Sequence, residues 1–376
     1  MDKPIYFKGL TELRGIAAVA VIFHHIELYK YRVGELSLFQ NRYIKPFISG
    51  LGKNGVYLFF VLSGFLITYL LLQEKKATNT IKVRKFYVRR ILRIWPLYYI
   101  ILVISFFILP ITLGHTFWGN EIDYQTRISQ LEYGWNLTLF IFFLSNLALI
   151  IFPPVVGAAQ SWSVSVEEQF YLFWPLLVKI YHKNLPFMLI VIAIGKPIAL
   201  YVIARAAKKM GYDIAVALKF LDALKIEFMA MGGLLSWMLI NKKKQFEKIF
   251  NSNILIYFVS VILTGALLTN SLPYLNAILF TLILGYIVRN GFENKIFKKL
   301  GEVSYGIYMY HPIIMYLSFA FVHSFLANTG WMITSIAEYL LVFLLTYLAS
   351  ILSYRYIEEY FLKLKSKFAI IHSKNK

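Results

Sequence analysis

The stretch "RGIAAVAVIFHH", from Arg14 to His25, decides how the rest of the sequence is interpreted. It is an apolar run with a guanidinium group at one end and two adjacent imidazoles at the other, and it belongs to an apolar segment over residues 13–29. A helix of about 17 to 25 such residues crosses the roughly 30 Å hydrocarbon core of a bilayer. Ionisable groups inside a span are costly to bury. The stretch therefore predicts a membrane span whose polar ends are functional.

The composition of the whole chain agrees with a membrane protein. Of the 376 residues, 59% are hydrophobic, 18% are aromatic and 15% are charged, and the mean hydropathy is +0.62. An ordinary soluble domain carries about 25% charged residues. We therefore expect an all-α, polytopic integral membrane protein. Residues 1–376 are expected to form a single integral-membrane domain with no appended soluble domain, because no linker or composition shift is visible.

Apolar segments of span-like length recur along the sequence. The candidates are 13–29, 56–72, 91–113, 137–153, 164–181, 186–204, 218–240, 254–268, 277–288, 303–325 and 331–354. Basic loops mark the cytoplasmic face, and if every candidate crossed, the runs "EKKATNTIKVRKFYVRR" and "NKKKQFEK" would lie on opposite faces. Treating 137–153 as re-entrant or interfacial removes this conflict. We expect about ten transmembrane helices with both termini cytoplasmic.

The charge and the missing cysteines exclude several classes of protein. The net charge is +20, from 39 Lys and Arg against 19 Asp and Glu. The basic residues lie in short connections between apolar segments, so we expect no nucleic-acid partner. The chain contains no cysteine, which excludes disulfides, thiolate catalysis and cysteine-based metal sites.

The spacing within the first segment brings one histidine onto the face of Arg14. Eleven helical residues advance about 16 Å, so Arg14 would lie near the cytoplasmic surface and His25 near the middle of the bilayer. At about 100° per residue, His25 returns to the face of Arg14 and His24 does not. A neutral His25 is suited to take a proton from an alcohol. The alternative is a histidine bonded to a neighbouring carbonyl, and no metal site is expected.

Two arginines mark the start of a later segment. In "KVRKFYVRRILRIWP", Arg90 and Arg93 lie three residues apart on one helix face. Two guanidinium forks in this arrangement suit phosphate groups. An anionic lipid headgroup is the competing ligand.

Carboxylates and hydroxyls open another segment. In "SWSVSVEEQFYLFWP", Ser163 is followed by Glu167, Glu168 and Tyr171. Carboxylates at the start of a helix are favoured by its dipole and could serve only as interfacial caps. Hydroxyls, carboxylates and aromatic faces together are also what a sugar-binding mouth requires.

Two further stretches place polar or small residues inside spans. In "LGEVSYGIYMYHPIIMY", His311 lies in the apolar segment 303–325, where a packed aromatic face with one satisfied histidine is as well supported as a site. In "GVYLFFVLSGFLI", Ser63 and Gly64 predict close packing against another helix.

Taken in this order, the quoted stretches resemble the motifs of acyltransferase family three, integral-membrane enzymes that modify envelope polysaccharides, lipid-linked sugars and small molecules. The first-span motif, a basic residue and a histidine separated by ten positions, corresponds to Arg14 and His25. The Arg-x-x-Arg element corresponds to Arg90 and Arg93. The resemblance covers the chain from residue 7 to about residue 360.

The resemblance implies transfer of an acyl group, usually acetyl, from cytoplasmic acyl-CoA to a hydroxyl of an envelope polysaccharide or lipid-linked sugar at the outer face of a bacterial cytoplasmic membrane. Acyl-CoA would be the donor, with no permanently bound cofactor, and membrane lipids and a second copy of the chain are compatible partners. Together with the residue chemistry, it predicts a catalytic group of His25, Arg14 and Glu167, a CoA site of Arg90, Arg93 and Arg14, and an acceptor site of Ser163, Glu168, Tyr171 and His311.

Two expectations concern the boundaries of this function. Some members of the family carry an SGNH-type hydrolase domain after the membrane part, and this sequence ends at Lys376 without one. The acyl group would then pass directly to the acceptor or to a separate protein. The alternative function is a transporter or flippase of a lipid-linked glycan, in which buried arginine and histidine line the path.

Overall fold

The computed structural model describes residues 6–113, 133–269, 272–326 and 329–370. Throughout these ranges the regular structure is helical and no strand occurs, which confirms the all-α class. The helices are α1 (Leu10–Arg32), α2 (Lys45–Thr78), α3 (Val83–Ile111), α4 (Tyr133–Ile141), α5 (Ser145–Ile151), α6 (Ser161–Ile180), α7 (Leu185–Met210), α8 (Ala215–Ala223), α9 (Ile226–Asn241), α10 (Lys243–Phe250), α11 (Asn253–Thr269), α12 (Pro273–Asn290), α13 (Lys295–Glu302), α14 (Ser304–Leu326) and α15 (Trp331–Ser366).

Three of the long helices contain a π-helical turn. The turns lie at Ile104–Ile108 in α3, Val191–Gly195 in α7 and Tyr354–Glu358 in α15. The first two end two residues before Pro110 and Pro197. Proline has no N–H to donate to the preceding turn, and a wider turn is one way in which a membrane helix accommodates it.

The number of spans is only partly determined by helix length and composition. Among the described residues, six helices are long and apolar enough to cross a membrane, with Ala215–Asn241 counted as one, or up to eight if the bent pairs α10–α11 and α12–α13 each form a span. Two further long helices, α1 and α6, carry the ionisable residues singled out in the sequence, and these residues make both helices less apolar. The ten spans and the cytoplasmic termini remain predictions.

The segment 137–153 does not form a continuous helix. It is divided between α4 and α5, which have nine and seven residues and are separated near Phe143, a residue with φ 56°. Helices this short extend about 10 to 14 Å and cannot cross the hydrocarbon core. This agrees with the expectation that the segment is not a regular span.

Close packing against α9 fixes the position of α2. A Cβ atom added to Gly64 of α2 would overlap the backbone of Met229, and one added to Gly232 of α9 would overlap the backbone of Val61. The two backbones approach to a distance that only glycine permits, which confirms the prediction made from "SGF". Helix α2 also packs along α1, and the buried apolar residues of α2, α3, α6 and α9 form one continuous core.

Candidate active site

A small cavity, called here the arginine cavity, lies between α1, α2, α3, α6 and α14. Its volume is about 130 Å³. Arg14 from α1 and both Arg90 and Arg93 from α3 line it. The other polar lining residues are Ser63, Ser163, Glu167, Tyr171, Ser304, Tyr305 and Tyr308. The structure therefore brings together three arginines that the sequence predicted to hold phosphate.

None of these three arginines forms a close ion pair within the part of the protein that the structure describes. No carboxylate oxygen in it lies within 4.0 Å of Arg14, Arg90 or Arg93. The Arg90 guanidinium lies 5.6 Å from the ring centroid of Tyr171, and its Nε is buried without a hydrogen-bond partner. The adjacent Arg89, by contrast, pairs with Glu74 at 3.0 Å. Unpaired guanidinium groups around a cavity favour binding of an anion.

One carboxylate faces the same cavity and is held in a fixed orientation. The Tyr171 hydroxyl donates to Glu167 Oε2 at 3.0 Å, and Ser63 Oγ lies 2.5 Å from the same hydroxyl. Glu167 is the acidic side chain among the described lining residues, so three arginines and one glutamate give the cavity a net positive charge.

A second and larger cavity, called here the histidine cavity, adjoins the first. Its volume is about 410 Å³. It is lined by residues of α1, α2, α5, α6 and α14 and of the connection before α6. Among them are His24, His25, Arg32, Lys53, Gln160, Trp162, Tyr308 and Tyr316. Val56 and Tyr308 line both cavities. The two spaces are therefore neighbours along the helix axes, with these side chains between them.

The hydrogen bonds of His25 determine which of its nitrogens is free. His25 Nδ1 lies 2.8 Å from the carbonyl oxygen of Val21 and 3.3 Å from His311 Nε2. His311 Nδ1 lies 2.8 Å from the carbonyl oxygen of Tyr308. Because carbonyl oxygens only accept, we assign the proton of each neutral imidazole to Nδ1. His311 Nε2 then accepts from His25, and His25 Nε2 keeps its lone pair, as a general base requires.

A pair of hydroxyls lies at the boundary between the cavities. Ser163 Oγ and the Tyr308 hydroxyl are 2.7 Å apart, and the Tyr308 hydroxyl donates to the carbonyl oxygen of Gln160 at 3.1 Å. Tyr308 was not among the predicted site residues. The sequence feature that could have identified it is its three-residue spacing from Tyr305 and His311 in the late-span motif. This spacing places Tyr308 one helical turn before the histidine.

The direction of α6 determines where two of the predicted acceptor residues lie. Helix α1 runs from Arg14 in the arginine cavity to His25 in the histidine cavity. Helix α6 runs the opposite way, so that Ser163 lies at the boundary and Tyr171, two turns later, lies among the arginines. Ser163 and Tyr171 were predicted to contact the acceptor. They are instead placed with the groups predicted to hold the donor.

Two other predicted acceptor residues line neither cavity. Glu168 points towards α3, where Trp95 Nε1 donates to its Oε2 at 3.0 Å. Successive helical residues point about 100° apart, and at this position Glu167 faces the arginine cavity whereas Glu168 does not. His311 is fully buried behind His25. His311 therefore contacts His25 and neither cavity, and Glu168 also lines neither cavity.

His24 shares the histidine cavity with His25, although the helical stripe drawn from Arg14 excluded it. Its Nδ1 lies 2.9 Å from the carbonyl oxygen of Ile48, and its ring is 5.1 Å from that of His25. The cavity is wide enough to be reached from both positions. Which residues surround a wide cavity cannot be read from one helix alone.

A group of possible metal ligands lies away from both cavities. Glu35, His323 and Glu338 place their ligand atoms within 4.8 Å of one another. His323 Nε2 lies 2.7 Å from Glu35 and 3.2 Å from Glu338, and Lys30 Nζ lies 3.3 Å from Glu338. With His323 protonated, two positive charges balance two carboxylates. The group is therefore complete as an ion-pair network that joins α1, α14 and α15.

The chain is similar to known acyltransferases over most of its length. A family model described as an acyltransferase domain matches residues 7–355. The peptidoglycan O-acetyltransferase OatA of Listeria monocytogenes is 26% identical over 377 residues, which cover 94% of this chain and 55% of that protein. The O-acetyltransferase OatA of Staphylococcus aureus is 25% identical over 391 residues, which cover 95% of this chain and 57% of that protein. The chain thus spans little more than half the length of these curated relatives. No solved structure matches it.

Proposed function

We propose a function for this chain, which belongs to the acyltransferase family whose model matches residues 7–355. It transfers an acyl group, with acetyl as the main candidate, from cytoplasmic acyl-CoA. The acceptor is a hydroxyl of a cell-envelope polysaccharide or lipid-linked sugar. The transfer would reach the outer face of a bacterial cytoplasmic membrane. Relatives named as O-acetyltransferases support the acetyl group, and one named for peptidoglycan supports an envelope glycan. The observation that carries the proposal is the pair of adjoining cavities, one with three unpaired arginines and the other with the free nitrogen of His25.

The arginine cavity is proposed as the donor site. Arg90 and Arg93 would hold phosphate oxygens of CoA at the end of the cavity near the start of α3, with Arg14 as a third positive charge. The pantetheine arm would extend along α1 towards Tyr308 and Val56, which separate the two cavities. The thioester would then lie at the boundary, within reach of a hydroxyl bound in the histidine cavity.

The proposed transfer uses His25 as a general base. His25 Nε2 removes the proton of the acceptor hydroxyl while the hydroxyl oxygen attacks the thioester carbonyl carbon. The carbon–sulfur bond breaks, and the CoA thiolate takes the proton from the imidazolium, so that the products are the ester and free CoA. His311 holds the His25 ring in place through the 3.3 Å contact between their nitrogens.

The hydroxyls at the boundary suit the charge that develops during this attack. The Tyr308 and Ser163 hydroxyls lie where the two cavities meet, and each is within reach of the Gln160 carbonyl. A hydroxyl that turned its single proton from that carbonyl to the reacting carbonyl oxygen would stabilise the tetrahedral intermediate. An acyl-His25 intermediate is the alternative route and predicts ping-pong kinetics.

Binding of the donor tests this function directly. The purified chain should be stabilised against heat by acetyl-CoA and by CoA, by about 2.7 kcal/mol at a concentration near 100 times the dissociation constant. The double variant Arg90→Ala/Arg93→Ala should lose this stabilisation. Arg84→Ala is the matched control, because Arg84 lies on the same helix, is exposed and lines neither cavity.

The outcomes separate the two functions. Stabilisation that is lost in the double variant and kept in the control supports a CoA site at the arginines. If neither ligand stabilises protein shown to be folded, the acyl-CoA donor is wrong and the glycan transporter becomes the better explanation.

A further inference from the structure

The rim of the histidine cavity carries positive charge without an acidic counterpart. Arg32, the last residue of α1, and Lys53 of α2 both line the cavity, and both are exposed. None of the lining residues in the described ranges is acidic. Arg32 also lies close enough to His25 for the two groups to interact electrostatically.

The acidic residues nearest to Arg32 in the sequence are engaged elsewhere. Glu27 accepts hydrogen bonds from the Ser37 hydroxyl at 2.8 Å and from the Tyr339 hydroxyl at 2.5 Å. Glu35 lies 2.7 Å from His323. Within the part of the chain that the structure covers, no carboxylate oxygen lies within 4.0 Å of Arg32 or Lys53.

Membrane topology does not explain these two cations. Arg14 and Arg32 are eighteen residues apart on one continuous helix, a distance of about 27 Å. Arg32 and Lys53 therefore lie at the end of the bundle opposite to the basic stretch before α3. If that stretch is cytoplasmic, the positive-inside rule disfavours basic residues at the other end.

The remaining lining residues suit a carbohydrate. Trp162, Tyr29 and Tyr316 present aromatic surface to the cavity, and His24 and Gln160 add polar groups. An aromatic wall with a few polar groups is typical of a site for a small organic ligand with both polar and apolar faces. The two cations at the rim favour a ligand that also carries a negative charge.

We propose that the acceptor is an acidic glycan, whose carboxylate or phosphate group is held by Arg32 and Lys53 while a neighbouring hydroxyl faces His25. This inference rests on the proposed function, because it takes the histidine cavity as the acceptor site. It adds the chemical class of the acceptor to that function.

Binding of defined oligosaccharides to the purified full chain tests the inference without any donor. Chitotetraose is the neutral probe. A tetrasaccharide of alternating N-acetylglucosamine and N-acetylmuramic acid has the same ring backbone with two added carboxylates, and chitotetraose 1-phosphate carries a terminal phosphate instead. We expect at least one acidic probe to bind about tenfold more tightly than the neutral probe, since each partly exposed ion pair contributes modestly. The probe that gains affinity identifies the source of the charge.

Matched variants show whether the two cations are responsible. Arg32→Gln/Lys53→Gln should remove the preference for the acidic probe and leave the affinity for chitotetraose unchanged. Arg42→Gln is the control, because Arg42 is an exposed arginine of the connection between α1 and α2 and lines neither cavity. Equal affinity for all three probes, no binding of any probe, or a preference that survives in the double variant would overturn the inference. Loss of donor binding would instead contradict the proposed function, so the two failures can be distinguished.

Discussion

Replacing His25 with glutamine should separate catalysis from donor binding. The glutamine amide can still donate to the Val21 carbonyl, which His25 Nδ1 contacts at 2.8 Å, but it has no nitrogen able to take a proton. A general base contributes about 10² to 10⁴ in rate, or roughly 2.7 to 5.4 kcal/mol in the activation free energy. We therefore expect His25→Gln to lower kcat for acetyl transfer by at least about a hundredfold.

Donor affinity should remain unchanged in the same variant. His25 is eleven residues from Arg14 on α1, which places it about 16 Å from the level of the arginines. The assay measures radiolabelled acetyl transfer beside thermal stabilisation by CoA. His24→Gln is the matched control, because His24 lines the same cavity and its Nδ1 is likewise bonded to a carbonyl oxygen. A His25→Gln enzyme within tenfold of the wild-type kcat, or one that no longer binds CoA, would refute the separation of roles between the two cavities.

Two further predictions concern the boundary and the outer network. Tyr308→Phe removes a hydroxyl that lies 2.7 Å from Ser163 Oγ. The kcat for acetyl transfer should fall about a hundredfold, while thermal stabilisation by CoA is kept. An unchanged kcat would show that this hydroxyl does not act on the reacting carbonyl. Lys30→Met removes one of the two cations beside the fully buried Glu338, the one at 3.3 Å, and leaves only His323 at 3.2 Å. It should destabilise the protein by about 3 kcal/mol, the lower end for a broken buried pair, measured as a lower melting temperature. Adding Glu338→Leu should recover part of that loss, and a further fall would show that the pair is not the source of the effect.

The sequence predicted those parts of the site that depend on helical spacing within one element. Arg90 and Arg93 face one cavity because three residues on a helix return nearly to the same face. Arg14 and His25 face adjoining cavities for the same reason over eleven residues. Such predictions need no knowledge of neighbouring helices, and the structure agrees with their geometry.

Properties that depend on contacts between helices could not be obtained in this way. His311 lies against His25 although 286 residues separate them, and nothing in either stretch states which face of α14 meets α1. The direction of α6 relative to α1 placed Tyr171 with the arginines. Tyr308 alone of its aromatic stretch lines both cavities, and this position depends on the helices packed around α14.

The polar groups of α1 are costly to insert if this helix spans the membrane as the sequence predicts, and most of them have an identifiable role. Within a bilayer each ionisable group needs a partner inside the protein or a water-filled space. His24 is bonded to Ile48, and Glu27 is bonded to Ser37 and Tyr339. The Arg14 guanidinium, which has no carboxylate partner within 4.0 Å among the described residues, and the unprotonated nitrogen of His25 each face a cavity. A bound phosphate would supply the partner of the first and a bound hydroxyl that of the second. The two proposed substrates would therefore satisfy two of the polar groups that make α1 costly as a predicted span, while the buried carboxylate of Glu12 is a third such group.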